Sequence, residues 1–291
     1  MASGAPFAFV QFEFGHLLGP PDGRYLARPA PGADPSLVIV LRTLGAPQRR
    51  LLERRRRPRA IDHATAAPVP TARATLIQPG PFESNDEAED WLSGLRSDEG
   101  RATAEAERAL RELNRVIRAH RAAAADPYAR DVTARGALAI RVGYGSGEQV
   151  AEGRFTAACE LSNAPPRKRR VERLSPEEHL AAILGAREHQ LVCEELVLRA
   201  RLDLDADRPR EAALQARVAL ESLLAEIGVG AEGVGSAALA KDREVVSAAS
   251  NAALEADPSD DLRAGVARSI ERMEQAIHRH RLRGSDSTPD R

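Results

Sequence analysis

Hydrophobic residues repeat at every second position in several segments before residue 160, and at every third or fourth position throughout the chain beyond residue 175. Period two belongs to strands and period 3.6 to helices, so the pattern predicts a sheet-containing N-terminal part and an all-helical C-terminal part. Residues 7–14 (FAFVQFEF) place Ala8, Val10, Phe12 and Phe14 on one face and Gln11 and Glu13 on the other. Asp22-Gly23 signals a turn into a second strand near 24–28. The run SLVIVLRTL at 36–44 is apolar on both faces at its start, as in a central strand. A fourth strand spans 71–79 and is expected to stop at Pro79-Gly80-Pro81. A fifth covers 136–144, GSG makes a turn, and 148–158 returns as a strand with Phe155 inside, or forms a helix instead.

Helix signals interrupt this series. Ser84 with Glu87 three residues later fits a capping box, and Asp86, Glu87, Glu89 and Asp90 suit the positive end of a helix dipole, with Trp91 and Leu92 facing inward. A longer helix over 101–124 carries Ala106, Leu110, Leu113 and Ile117 on one stripe and ends at Asp126-Pro127. Further on, Ser175-Pro176-Glu177-Glu178 opens a helix with an N-cap, a first-turn proline and a capping-box Glu. The next helix, 189–204, turns Val192/Cys193, Leu196/Val197, Ala200 and Leu204 inward. The helix over 209–227 has Ala213, Ala216, Leu220, Leu223 and Ile227 spaced 3, 4, 3 and 4 apart. An alanine-rich helix near 237–255 follows. The last, 259–282, carries Leu262, Val266, Ile270, Met273 and Ile277 on one side.

The predicted class is therefore α+β: a mainly antiparallel sheet of five or six strands with two helices, followed by an all-α bundle or hairpin region. The expected domains are 1–160, with a flexible Arg/Pro-rich insertion at 45–70, and 175–282. A basic linker at 161–174 joins them and a disordered tail covers 283–291. The alternative is a single fold with the C-terminal helices packed on the sheet.

Net charge is −1, but its distribution is uneven. Residues 49–59 hold seven Arg and one Glu, a local +6, and residues 167–173 hold five cations and one Glu, a local +4, which leaves −11 for the remainder. Arg54, Arg55, Arg56, Arg57, Arg167, Lys168, Arg169 and Arg170 are therefore candidate contacts for phosphates or an acidic partner. Neither run is interleaved with aromatics that would stack bases. The acidic stretch 83–90 is a candidate internal partner.

Two cysteines, Cys159 and Cys193, build no disulfide framework and no cysteine-rich metal site. The N-terminus lacks a charged n-region, and no run approaches the ~20 apolar residues of a membrane span, so the expectation is a cytoplasmic protein.

Short motifs carry little chemistry. GVGAEG at 228–233 has dinucleotide-binding spacing but follows a helix, whereas pyrophosphate binding needs a strand before the glycines. GYGSG at 143–147 follows a strand, so Tyr144, Gly145, Ser146 and Gly147 form a candidate ligand loop; a hairpin turn with positive φ angles is the structural reading of the same residues. Asp203, Asp205 and Asp207 begin like a calcium loop, but Arg208 and Leu214 stand where Gly and Glu are required. Arg115/His120 and Arg272/His278 match the Arg-x4–6-His pattern of HEPN-type ribonucleases, but chance alone gives about three such matches in so arginine-rich a chain. Residues 198–221, with Ala212 and Ala219 seven apart, resemble one tetratricopeptide-type helical hairpin; the resemblance implies a packed antiparallel helix pair, and no second copy follows. These readings assign no catalytic, cofactor or metal residue. They predict a non-enzymatic adaptor or assembly protein that binds a protein partner or itself, with nucleic-acid binding or RNA processing through the arginine-rich segments as the alternative.

Overall fold

A computed structural model describes residues 4–30, 32–45, 70–162, 176–227 and 236–285. The chain divides into two compact units, Met1–Lys168 and Arg169–Arg291.

The first unit is built on a six-stranded antiparallel sheet in the order β2-β3-β4-β1-β5-β6. Its strands are β1 (Pro6–Phe14), β2 (Gly23–Ala27), β3 (Leu37–Leu44), β4 (Thr71–Pro81), β5 (Ala137–Ser146) and β6 (Ala157–Glu160). β1 lies between β4 and β5, where bulk alternates with small side chains: Phe12 opposes Ala74, and Phe14 opposes Ala72 and Ala137. That complementarity lets two aromatic rings sit side by side at 6.2 Å without opening the sheet.

Two helices cover one face, α1 (Asn85–Ser97) and α2 (Glu99–Ala124). The face of α2 toward the sheet is Ala102, Ala106, Ala109, Leu113 and Ile117, all buried against Val10, Phe12, Phe14, Leu76, Ile140 and Val142. Three alanines in its first turns bring the helix close to the sheet. The predicted cap is present: Ser84 Oγ accepts the Glu87 amide at 3.1 Å, and the Glu87 carboxylate accepts the amide of Glu83 at 2.7 Å. Asp98 ends α1 and caps α2 by accepting the Arg101 amide at 3.0 Å.

Three sequence expectations fail locally. β4 continues through Pro79-Gly80-Pro81, with Pro81 opposite Phe7, because a bulge absorbs the prolines (Phe9 already opposes Ile77). GSG is no turn, since β5 runs to Ser146 and a short helix α3 (Gly147–Ala151) follows. The segment 148–158 divides between its two readings, helical in α3 and strand only from Ala157 in β6, and Phe155 lies between them, more than a third exposed and tilted against Phe9 at 5.4 Å. The face predicted to hold Gln11 and Glu13 is also partly covered: α3 buries Phe9, Val40 and Ile77 under Val150 and Ala151. Gln11 is 2% exposed and donates its side-chain amide to Thr75 Oγ1 at 3.2 Å.

The second unit is helical: α4 (Pro176–Leu184), α5 (Val192–Asp205), α6 (Pro209–Ile227), α7 (Ser236–Glu255) and α8 (Asp260–Ser285). Ser175, the expected cap of α4, lies outside the described residues. The stripes read from α6 and α8 form the core, with Ala213, Ala216, Leu220 and Leu223 meeting Val266, Ile270, Met273 and Ile277. Val192 is an exception on α5, exposed rather than inward, because Cys193 takes the buried position. The three aspartates after it form a helix end: Asp203 pairs with Arg208 at 2.7 Å, Asp207 takes φ 54°, and Pro209 starts α6.

Two buried polar clusters inside this unit are matched, whereas His179 of α4 pairs its Nδ1 with Glu188 at 2.8 Å and leaves its buried Nε2 without a partner. Asp242 is 1% exposed; it accepts the Ser269 hydroxyl at 2.8 Å and both Nε and Nη2 of Arg272. Glu226 accepts the amides of Val192 at 3.1 Å and Cys193 at 2.9 Å, so a carboxylate from the end of α6 satisfies the open start of α5.

Candidate functional site

The GYGSG segment lies on β5 and the start of α3. A Cβ at Gly143 would lie 2.2 Å from the carbonyl oxygen of Ala157 and 2.7 Å from the Cα of Ala158. At Gly145 it would meet Phe155 Cα and Thr156 N at 3.0 Å. Both glycines thus admit the backbone of the 155–158 segment, and neither has a positive φ; the left-handed glycine here is Gly153, at 83°. Ser146 and Gly147 are half-buried where β5 passes into α3. Glu148 forms a bidentate pair with Arg24, with contacts of 3.2 and 2.9 Å.

Tyr144 is 5% exposed, packed on Ala88 and Leu92 of α1, and donates its hydroxyl to Glu89 Oε2 at 2.8 Å. Arg96 holds the other oxygen of Glu89 at 2.8 Å. Burial, and then the bond to Glu89, push the Tyr144 phenol up, while the bonds from Tyr144 and Arg96 hold the Glu89 carboxyl down. The phenol's contribution to stability is complete below the ordinary tyrosine value and is lost as pH rises through its raised value. The Glu89 contribution is complete above the ordinary carboxyl value and is lost as pH falls through its lowered one. Tyr144→Phe is therefore expected to flatten both edges of the pH–stability curve, measured as the urea midpoint from pH 3 to 11. An unchanged curve would show that this bond is energetically silent.

A second feature is a cleft of about 350 Å³ beside α2. Its apolar floor includes Val10, Leu37 and Leu76, and Trp91 and the flank of α2 form walls. Trp91 is the single tryptophan of the chain. Sequence periodicity placed it inward, yet it is half-buried, with its ring tilted against Phe82 at 5.4 Å. Nothing in the local pattern signals the cleft, because its lining comes from five elements, β1, β3, β4, α1 and α2.

The third feature is on the helical unit. Leu198 and Leu202 on α5, and Leu214 and Val218 on α6, are between 37% and 61% exposed. Each pair is separated by four residues and so shares one helical face. The apolar stripes of α5 and α6 do not include them, because a stripe marks the buried side and these residues lie on the opposite side of the same helices.

The remaining sequence candidates are structurally accounted for or outside the described residues. Arg54, Arg55, Arg56, Arg57, Arg167, Lys168, Arg169 and Arg170 lie outside them, as does the 228–233 glycine motif. Arg115 pairs with Glu112 at 3.6 Å and Arg272 binds Asp242, so neither arginine is directed at its motif histidine. His120 packs against Gly19, where a Cβ would lie 3.2 Å from the imidazole Cδ2. Burial pushes the Cys193 thiol up to about 12, and it raises Cys159 as well. Thiolate chemistry at neutral pH is thereby disfavoured at both. Among the described residues, no group of three His, Cys, Asp or Glu is placed to hold a metal ion, and no helix is long and apolar enough to cross a membrane. Compared with known proteins, the chain matches no family model, and no curated protein or solved structure matches it significantly.

Proposed function

We propose that this is a cytoplasmic, non-enzymatic adaptor or assembly protein that binds a protein partner, or a second copy of itself, through the outer faces of α5 and α6. The observation that carries the reading is the pair of aliphatic couples Leu198/Leu202 and Leu214/Val218 left in solvent. Single exposed leucines are ordinary, but paired ones on adjoining helices are a feature of interaction surfaces. Fully burying one such side chain is worth about 1.5–3 kcal/mol, so four could anchor an interface. On this reading the sheet unit is a scaffold, joined to the helical unit by the basic segment 161–174.

Crosslinking and capture with the full chain test the proposal, alongside sedimentation to detect self-association. Leu198→Glu with Leu202→Glu is expected to weaken the captured interaction by at least about tenfold, because each buried charge costs more than the leucine it replaces. Exposed positions leave the melting temperature unchanged. A monodisperse monomer that captures nothing, or capture indifferent to both substitutions, would contradict the proposal.

Nucleic-acid binding is the second reading, supported by local charges of +6 and +4 against −11 elsewhere. It requires salt-dependent binding to RNA or DNA that is lost when Arg54–Arg57 and Arg167–Arg170 are neutralised.

A further inference from the structure

From the cleft beside α2 we infer a binding site for a small organic cation: an amine or guanidinium carried on an apolar body. Three separate features of the site converge on that chemistry. The first is shape. The cleft is about 350 Å³, within the range of small-molecule sites, and its floor is apolar where Val10 and Leu76 line it. Those two residues oppose each other across β1 and β4.

The second is a break in the sheet at the same place. Between the pairs Phe7–Pro81 and Phe9–Ile77, three residues of β4 (Gln78, Pro79 and Gly80) oppose the single residue Ala8 of β1. A bulge of this size takes backbone groups out of the β1–β4 ladder, and all four residues line the cleft. Pro79 brings a carbonyl oxygen and no N–H, so the backbone of these four residues carries one more acceptor group than donor groups.

The third is electrostatic. The flank of α2 contributes Glu105, Arg108 and Glu112, two carboxylates against one guanidinium. Arg108 is already engaged by Glu105, and Glu112 is paired with Arg115 at 3.6 Å. Both are surface pairs of small worth, easily exchanged for a ligand cation. The Trp91 indole completes the wall, steadied by Phe82, and an indole face attracts a cation and rejects an anion. The proline carbonyl, two carboxylates held only by exchangeable surface pairs and an aromatic ring together favour a donor-rich positive head, while the floor takes its apolar body.

Because Trp91 is the only tryptophan, the tryptophan emission of the chain comes from a wall of this cleft. The test titrates the full chain with phenethylamine, 2-phenylethanol and 3-phenylpropionate, which share a body and differ in charge, with excitation selective for tryptophan. A saturable change with the amine, at least about tenfold tighter than with the alcohol and absent with the carboxylate, is the expected result. The Glu105→Gln/Glu112→Gln double variant should lose about that tenfold for the amine and leave the alcohol unaffected, with an unchanged melting temperature. No response to any probe, equal responses to amine and alcohol, or preference for the carboxylate would overturn the inference. So would a double variant that folds normally and binds the amine as before.

Discussion

Gly143→Ala is expected to destabilise the sheet unit by about 3 kcal/mol, the upper range for overpacking a well-packed site. The added methyl would sit 2.2 Å from a backbone carbonyl of β6, and neither partner is the movable end of a long side chain. Relief requires β5 and β6 to separate, which would break the ladder that pairs Arg141–Tyr144 with Ala157–Glu160. Gly147→Ala is the control, because its Cβ would meet only the Phe7 ring, at 3.3 Å. Urea denaturation followed by circular dichroism measures both. Equal midpoints for the two variants would show that close approach is not what requires glycine at 143.

Asp242→Ala is expected to cost the helical unit about 3 kcal/mol, as for removal of one partner from a buried ion pair. The loss would leave Ser269, 0% exposed, without its acceptor and strip Arg272 of both of its carboxylate contacts. Arg272 is 38% exposed at its side chain, so water can reach the stranded guanidinium and hold the cost near the lower end of that range. Asp242→Asn keeps an acceptor for one partner and should fall between wild type and alanine. The pair need not stabilise the fold relative to an apolar replacement. What it supplies is register between α7 and α8, since only one alignment brings the three groups together. Thermal unfolding of the full chain measures the series, and an alanine variant within about 0.5 kcal/mol of wild type would contradict this reading.

How much of the fold was legible follows from the range of the forces involved. The α+β class and the stripes of α6 and α8 were readable because burial imposes a local period on the residues that face the core. The boundary errors fall where a long-range contact outweighs local preference. β4 passes through two prolines because Phe7 and its neighbours hold the strand beyond the bulge. GYGSG reads as a turn because glycine usually signals φ > 0, whereas Gly143 and Gly145 are there for lack of a Cβ. Gln11, on the face opposite Phe12, is buried between Thr75 and Arg141 of the neighbouring strands, on the face where α3 covers Phe9, and strand alternation cannot foresee a covering element.

The candidate sites were less legible for the same reason. Trp91, Glu105, Gln78 and Leu37 meet in one cleft, but they are separated in sequence and share no motif. Leu198 and Val218 look unremarkable in sequence, since helical apolar residues are normally assigned to the core. Only the structure distinguishes them from Val197 and Ala219, which are buried one position away.

On the proposed reading the helical unit works by contact, through the Leu198, Leu202, Leu214 and Val218 side chains that face water. Amide hydrogen exchange on the full chain, free and in its crosslink-validated complex, addresses it most directly. Slowed exchange over 198–202 of α5 and 214–218 of α6 is expected in the complex, with 143–147 unchanged. Protection confined to 143–147, or none on either helix, would contradict it.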